Sequence, residues 1–276
     1  MSVDSQKKLD ALRSTLLSLG DSLSLDEASL IQEQLDELSL DLESERGERG
    51  QFISHVSHEL RVPMTSILGY TDLLRKGIFG PVNEQQLNFL NIIRSNVERM
   101  AVLVTNLSDL SRLNTGSLPL KLESFFVRDV VDGVVHNLQP VFLDKSQNLE
   151  IAQAVDSAPV YADPQRLAQV LTNLLDNANR YTAIGGSIGV NIVCNEKAIR
   201  LEVSDNGIGI SPEDQSRLFE PFFRSEHPSV RETPGWGLSL SVSQALVEHM
   251  GGAIGAASKL EEGSTFWFTI PVFRES

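Results

Sequence analysis

Three sets of residues have the types and spacings that could do chemistry. The first is Phe52-Ile-Ser-His-Val-Ser-His-Glu-Leu-Arg-Val-Pro63, with His58 near its centre. Read as a helix, it carries Ile53, Val56, Leu60, Met64 and Ile67 at 3-4 spacing, which predicts one buried seam. His58 stands about 200° around the helix from Val56 and Leu60, so it points into water. An exposed imidazole beside the carboxylate of Glu59 is a nucleophile with a proton acceptor next to it. Taken alone, a solvent-facing histidine without a task is the simpler reading.

The second set lies in Pro164–Asn179, whose core face is Leu167, Val170, Leu171, Leu174, Leu175 and Ala178. Beside it runs a polar stripe, Asn173, Asn177 and Arg180, at i, i+4 and i+7. Carboxamide oxygens suit Mg²⁺, and an arginine at the end of the stripe suits phosphate. A polar flank on an amphipathic helix explains the same pattern.

The third set begins with Asp205-Asn-Gly-Ile-Gly-Ile210 after a strand. Its glycines let backbone come close to a ligand, and Asp205 can accept from an exocyclic amine; a plain Asn-Gly turn is the alternative. Leu218-Phe-Glu-Pro-Phe-Phe-Arg224 then precedes a polar stretch, Ser225–Thr233, that ends in Pro234-Gly-Trp-Gly237 and a helix. A loop closed by a glycine-rich helix start suits phosphate, as it also suits an ordinary capped surface loop.

Composition limits what these sets can serve. The chain has 276 residues, 41% hydrophobic and 22% charged, which suits about two soluble domains. A net charge of −14 argues against general nucleic-acid affinity, although a local nucleotide pocket stays open. No run reaches the ~20 apolar residues that span a bilayer, and no signal peptide opens the chain. The one cysteine, Cys194, excludes an internal disulfide and reads as a small core residue. Together these point to a cytoplasmic protein, or the cytoplasmic part of a longer one, without membrane contact of its own.

The elements that must position these sets follow in order. Residues 1–50 read as a helical, coiled-coil segment, with twelve acidic residues against five basic ones. Residues 51–114 read as a helical hairpin: the His58 helix runs to about Arg75, Lys76–Asn83 breaks it, and a second helix begins near Glu84. The second helix carries Leu90, Ile93, Val97, Met100, Val104 and Leu107 at 3-4 spacing. One hairpin has too little interior to bury both stripes, which predicts a homodimeric four-helix bundle. Residues 115–276 turn to mixed α/β. Strands are predicted near Leu120–Leu122, Leu149–Ala152, Val160–Ala162, Ser187–Cys194, Ile199–Asp205, Ala253–Ser258 and Thr265–Pro271. Helices fall near Arg128–Leu138, Pro164–Asn179 and Leu238–Met250. Paired strands with helices between them predict an α+β fold, with a largely antiparallel sheet covered on one face.

Taken in order, these motifs resemble the sensor histidine kinases of two-component signalling, from about residue 45 onward. Ser57-His-Glu-Leu-Arg-Val-Pro63 resembles the phosphoacceptor box and Asn173-Leu-Leu-Asp-Asn-Ala-Asn-Arg-Tyr-Thr182 the N box. Asp205-Asn-Gly-Ile-Gly209 and Gly235-Trp-Gly-Leu-Ser-Leu240 are similar to the two glycine boxes. Phe219-Glu-Pro-Phe-Phe-Arg224 is similar to the phenylalanine box, and Gly263-Ser-Thr-Phe266 to the closing glycine motif.

The resemblance implies a dimeric phosphoacceptor hairpin joined to a Bergerat-type ATP-binding sandwich, with ATP and Mg²⁺ as cofactors and a response-regulator receiver domain as partner. His58 would be the phosphoacceptor and Glu59 the general base. Asp205 would read the adenine amine, Asn177 would hold Mg²⁺, and Asn173 and Arg180 would approach the phosphates. Tyr181 would flank the base or ribose, while Gly207, Gly209, Gly235 and Gly237 would hinge a lid. The matching motifs add Phe219, Arg224, Leu238 and Thr265 to the nucleotide set. A related ATPase of this fold has a water-activating glutamate where Asn173 stands, and Asn173 cannot act as a base. Two positions depart from the family pattern: Val62 stands where Thr or Asn is common, which implies weak phosphatase activity, and Ser239 replaces a usual glycine. A catalytically idle scaffold and a pure ATPase are the competing readings; His58 and Asn173 disfavour the latter.

Overall fold

The computed structural model describes residues 53–152, 159–195 and 197–272; the expectation for residues 1–50 lies outside them. Helix α1 covers residues 53–75. Gly77 and Gly80, both with positive φ, turn the chain. Helix α2, Glu84–Asn114, starts on a reciprocal cap in which Asn83 Oδ1 accepts from Gln86 N and Gln86 Oε1 accepts from Asn83 N. Two contacts set the antiparallel register of the hairpin. Arg112 Nη2 donates to Ser54 Oγ at 3.0 Å, and Arg94 Nη1 lies 3.6 Å from Asp72 Oδ1. Asp109 therefore stands at about the height of Ser57 and His58.

The expected single seam of α1 divides in two, which corrects the sequence reading. Met64 is buried with Val97 and Val104, and Leu68 and Ala101 pack against them. Val56, Leu60 and Ile67 stay between 36% and 43% exposed. The reason is helical geometry: a two-helix contact covers only a narrow strip, here the one holding Ser57, Met64 and Thr71. The neighbouring strip faces away from α2.

The remainder is an α/β sandwich. Strand β1, Glu123–Phe125, pairs antiparallel with β3, Val160–Ala162, as a small separate sheet. The main sheet runs β2 (Asn148–Ile151), β4 (Ser187–Cys194), β5 (Ala198–Asp205), β7 (Gly263–Pro271), β6 (Ile254–Lys259). Its β2–β4 pair is parallel and the rest are antiparallel. Alternation sends Ile188, Val190, Ile192, Ile199, Leu201, Val203, Phe268 and Ile270 to one face. Helices α3 (Val127–Asp144), α4 (Pro164–Tyr181) and α7 (Ser239–His249) cover that face, and short helices α5 (Pro212–Gln215) and α6 (Pro228–Glu232) interrupt the loop before α7. On the open face the Arg200 guanidinium sits 4.2 Å from the Trp267 ring centre.

The first strand lies three residues later than its apolar spacing suggests. Leu118 and Leu120 pack into the core outside the ladder, while Lys121 N donates to Asp163 Oδ2 at 2.9 Å. The same Asp163 caps α4 through Gln165 N and Arg166 N, with Pro164 at the first helical position. One carboxylate thus fixes both the strand entry and the start of the helix that carries Asn173, Asn177 and Arg180. The last turns of α2 join this unit as well, since Leu110 and Leu113 belong to its core.

Candidate nucleotide and phosphoacceptor sites

His58 sits mid-face on α1, its side chain 71% exposed. Nδ1 lies 3.9 Å from Glu59 Oε1, which leaves Nε2 free toward solvent. That spacing is longer than a hydrogen bond of about 2.6–3.2 Å, as acid–base pairs often are before substrate arrives. Val62, one turn on, is 60% exposed. Its carbonyl accepts from Ser66 Oγ.

The polar stripe of α4 faces the segment that leads into α7. Asn173 Nδ2 donates to Ser243 Oγ at 3.0 Å and to the Ser239 carbonyl at 3.4 Å. Arg180 Nη1 donates to the Pro234 carbonyl at 3.2 Å. Asn177 lies between them on the same face, half-buried, and its side-chain amide has no hydrogen-bond partner among the described residues. Asp176, also half-buried, has its carboxyl pushed above the ordinary range by burial, an effect that Arg180 opposes.

Asp205 closes β5, half-buried. Burial raises its carboxyl, against the lowering effect of backbone N–H groups from Gly207 and Ser264. The Gly207 N–H donates to Oδ1 at 2.9 Å. A Cβ at Gly207 would fall 2.4 Å from the Tyr181 carbonyl, and one at Gly209, whose φ is +66°, would fall 2.0 Å from that of Lys259. Close backbone packing therefore requires both glycines, Gly207 against Tyr181 and Gly209 against Lys259. Tyr181 is half-buried, and its carbonyl accepts from Ile208 N at 3.2 Å. Thr265 is half-buried on β7, in register with Ser204.

The loop between β5 and α7 is held from inside. Arg224 donates to the carbonyls of Val230, Thr233 and Gly235. Gly237, with φ +68°, leaves room for the Phe223 carbonyl, 2.4 Å from where a Cβ would stand. A Cβ at Gly235 would stand in open space, 3.8 Å from Arg180 Nη1. Phe219 is half-buried, and Leu238, 1% exposed, is a core residue in this arrangement. Trp236 projects from the loop end, 56% exposed.

Two features escaped the sequence reading. Asp109 Oδ2, nearly buried on α2, accepts from Arg166 Nη1 and Gln169 Nε2 of α4, each at 2.9 Å. Gln147 and Asn179 form a buried amide pair at the end of α4. Neither leaves a local signal, because the partners lie 32 to 60 residues apart.

Comparison with known proteins accounts for both halves. Residues 48–116 match the family model described as the His Kinase A (phospho-acceptor) domain. Residues 162–274 match the Histidine kinase-, DNA gyrase B- and HSP90-like ATPase model. The chain is 34% identical over 255 residues to the signal transduction histidine-protein kinase BarA of Escherichia coli, covering 88% of this chain and 27% of that protein. It is 33% identical over 242 residues to the circadian input-output histidine kinase CikA of Synechococcus elongatus, covering 87% and 32%. The chain thus spans about a third or less of these relatives. Among solved structures it resembles full-length ShkA in complex with AMPPNP, with a TM-score of 0.68 and 26% identity over 82% of this chain and 47% of that one. It also resembles the Acinetobacter baumannii histidine kinase AdeS, with a TM-score of 0.54 and 28% identity over 79% and 98%.

Proposed function

This chain belongs to the sensor histidine kinases of two-component systems, and from that premise we propose that it phosphorylates His58 from ATP and passes the phosphoryl group to an aspartate of a response-regulator receiver domain. The observation that carries the reading is the free Nε2 of His58, on the exposed face of a helix in the same chain as the Asn177, Arg180 and Asp205 set. ATP would supply the phosphoryl group, and Asn177 would hold a Mg²⁺ that offsets phosphate charge. The fit rests on Asn177, a hard-oxygen donor with no competing partner, and on the Asp205 carboxylate beside backbone packed too closely for any residue but glycine at 207.

Each residue then has a defined task. Asp205 accepts from the adenine amine. Arg180 and Arg224 bring positive charge to the loop end, where both now hold carbonyls. Asn173, tied to α7, orients without activating water, since a carboxamide takes up no proton at neutral pH. Nε2 of His58 would attack the γ-phosphorus in line as its bond to the β–γ bridging oxygen breaks and ADP leaves, and Glu59 would take the proton from Nδ1.

The hairpin of one chain leaves Val56, Leu60, Ile67, Leu74, Ile93 and Met100 between 36% and 47% exposed. Covering each returns about 1 kcal/mol, and a second copy in a four-helix bundle does so symmetrically. Sedimentation as a monomer at micromolar concentration would count against the dimer. Among the described residues no helix is long and apolar enough to cross a membrane.

Incubation with γ-labelled ATP tests the activity. Acid-labile, base-stable label that is absent from His58→Gln supports the kinase. No label with nucleotide still bound points to an idle scaffold, and free phosphate without label points to an ATPase. Asn173→Glu is expected to raise futile ATP hydrolysis about 100-fold, the lower end of what a general base contributes; equal hydrolysis rates in the two proteins would sink that assignment.

A further inference from the structure

The last carbonyls of a helix have no partner within it. At the end of α4 they are met by side chains from the three residues ahead of β2. Gln147, 5% exposed, directs Nε2 at the carbonyls of Thr182, Asn179 and Ala183, at 2.8, 3.1 and 3.3 Å. Lys145 Nζ donates to the Asn179 carbonyl at 2.7 Å, placing positive charge at the negative end of the helix. Asn179 Nδ2 donates back to Gln147 Oε1 at 2.6 Å, so the two amides lock each other. Ser146 between them adopts φ 51°, which turns both neighbours toward α4.

This clamped turn is a junction. Arg180, inside it, reaches the Pro234 carbonyl at the loop end, while the Tyr181 carbonyl accepts from Ile208 beside Asp205. The phosphate-side and base-side elements are therefore both fastened to a turn whose own anchor is Gln147, on the side away from the ligand.

We propose that Gln147, supported by Lys145, is a positioning residue for ATP: it fixes the 179–183 turn so that Arg180, Tyr181 and the Asp205 loop keep their mutual spacing. It touches no substrate and acts only through that turn. The inference rests on the assignment of Arg180, Tyr181 and Asp205 to the nucleotide.

The test is initial-rate autophosphorylation of the full chain against ATP concentration, comparing wild type, Gln147→Met and Lys145→Met. Methionine keeps length and volume while removing the hydrogen bonds. Gln147→Met is expected to raise KM for ATP about tenfold, near the worth of one buried hydrogen bond, and to leave kcat within twofold. Lys145→Met should raise KM about threefold. A role confined to stability would lower the active fraction, hence apparent kcat, with KM unchanged, and that result overturns the proposal. If circular dichroism shows Gln147→Met unfolded, Lys145→Met decides alone, and an unaltered KM there overturns it. If wild type forms no phosphohistidine, the kinase reading fails separately. Calorimetric titration with AMPPNP then replaces KM, with equal affinity in all three proteins counting against the clamp.

Discussion

The hairpin and the sandwich solve the problem of burial in opposite ways. In the sandwich, Phe142, Leu167, Leu171, Leu174, Leu201, Phe268 and Ile270 are all below 2% exposed, and the sheet has its helices over one face. In the hairpin, Met64, Val97 and Val104 are sealed while a parallel strip of Val56, Leu60, Ile67 and Leu74 stays open. The sandwich closes its core within one chain; the hairpin leaves an apolar strip uncovered, the strip the proposed dimer would bury. The difference matches the proposed division of labour, because a nucleotide pocket needs fixed spacing whereas a phosphoacceptor must be reachable by two partners in turn.

Four experiments break or sharpen this contrast. The largest effect is expected from Phe268→Ala, which should cost about 3–5 kcal/mol in denaturant unfolding by opening a cavity in a closed core. A loss under 1 kcal/mol would mean the sandwich repacks freely. Leu60→Asp should leave AMPPNP affinity unchanged while sedimentation shifts from dimer to monomer, at a cost of about 2 kcal/mol or more per chain for a charge on an apolar interface. A dimer that survives places its interface elsewhere.

The third turns on Asp205, whose carboxyl burial holds above the ordinary aspartate value of about 3.9. If Asp205 reads the adenine amine as proposed, binding requires the carboxylate, so affinity should fall as pH drops through the raised value, earlier than for an exposed aspartate. The folded chain without nucleotide holds this proton more tightly than the unfolded one. The group's stabilising contribution is therefore complete below about 3.9 and fades as pH rises through the folded value. Calorimetric titration across mildly acidic pH checks the first part, and Asp205→Asn should remove the dependence. The smallest change is Ser146→Gly. Ser146 has φ 51°, and glycine there should relieve strain, for a net gain of at most about 1 kcal/mol after its added chain entropy. A drop in thermal midpoint would show that the Ser146 side chain contributes more than its backbone costs.

Much of the fold was legible from period and punctuation. Asn83, Asp163 and the glycines of 76–80 mark their boundaries through local hydrogen bonds or backbone freedom, which depend on residues within four of one another. The motifs of the nucleotide site were legible for the same reason, each being a run on one strand end or one helix face. The tertiary contacts left no such trace. Asp109 reads as one more polar residue on α2 until Arg166 and Gln169 meet it, joining the hairpin to the sandwich at the height of His58. Leu238 sits inside a glycine motif and reads as part of the nucleotide set, yet the packing makes it core.

Residue order alone was enough to single out the proposed chemical groups: His58 on a water-facing helical position, the carboxamide stripe of α4, and Asp205 at a strand end. Their placement follows from periodicity and residue type, and their proposed roles from the resemblance of the motifs. Long-range packing settles which apolar strip of α1 is covered, how Arg180 and Arg224 hold the loop end, and that Gln147 anchors the 179–183 turn. These depend on groups brought together from distant parts of the chain, whose pairing is set by the packing of the whole core and by no local pattern.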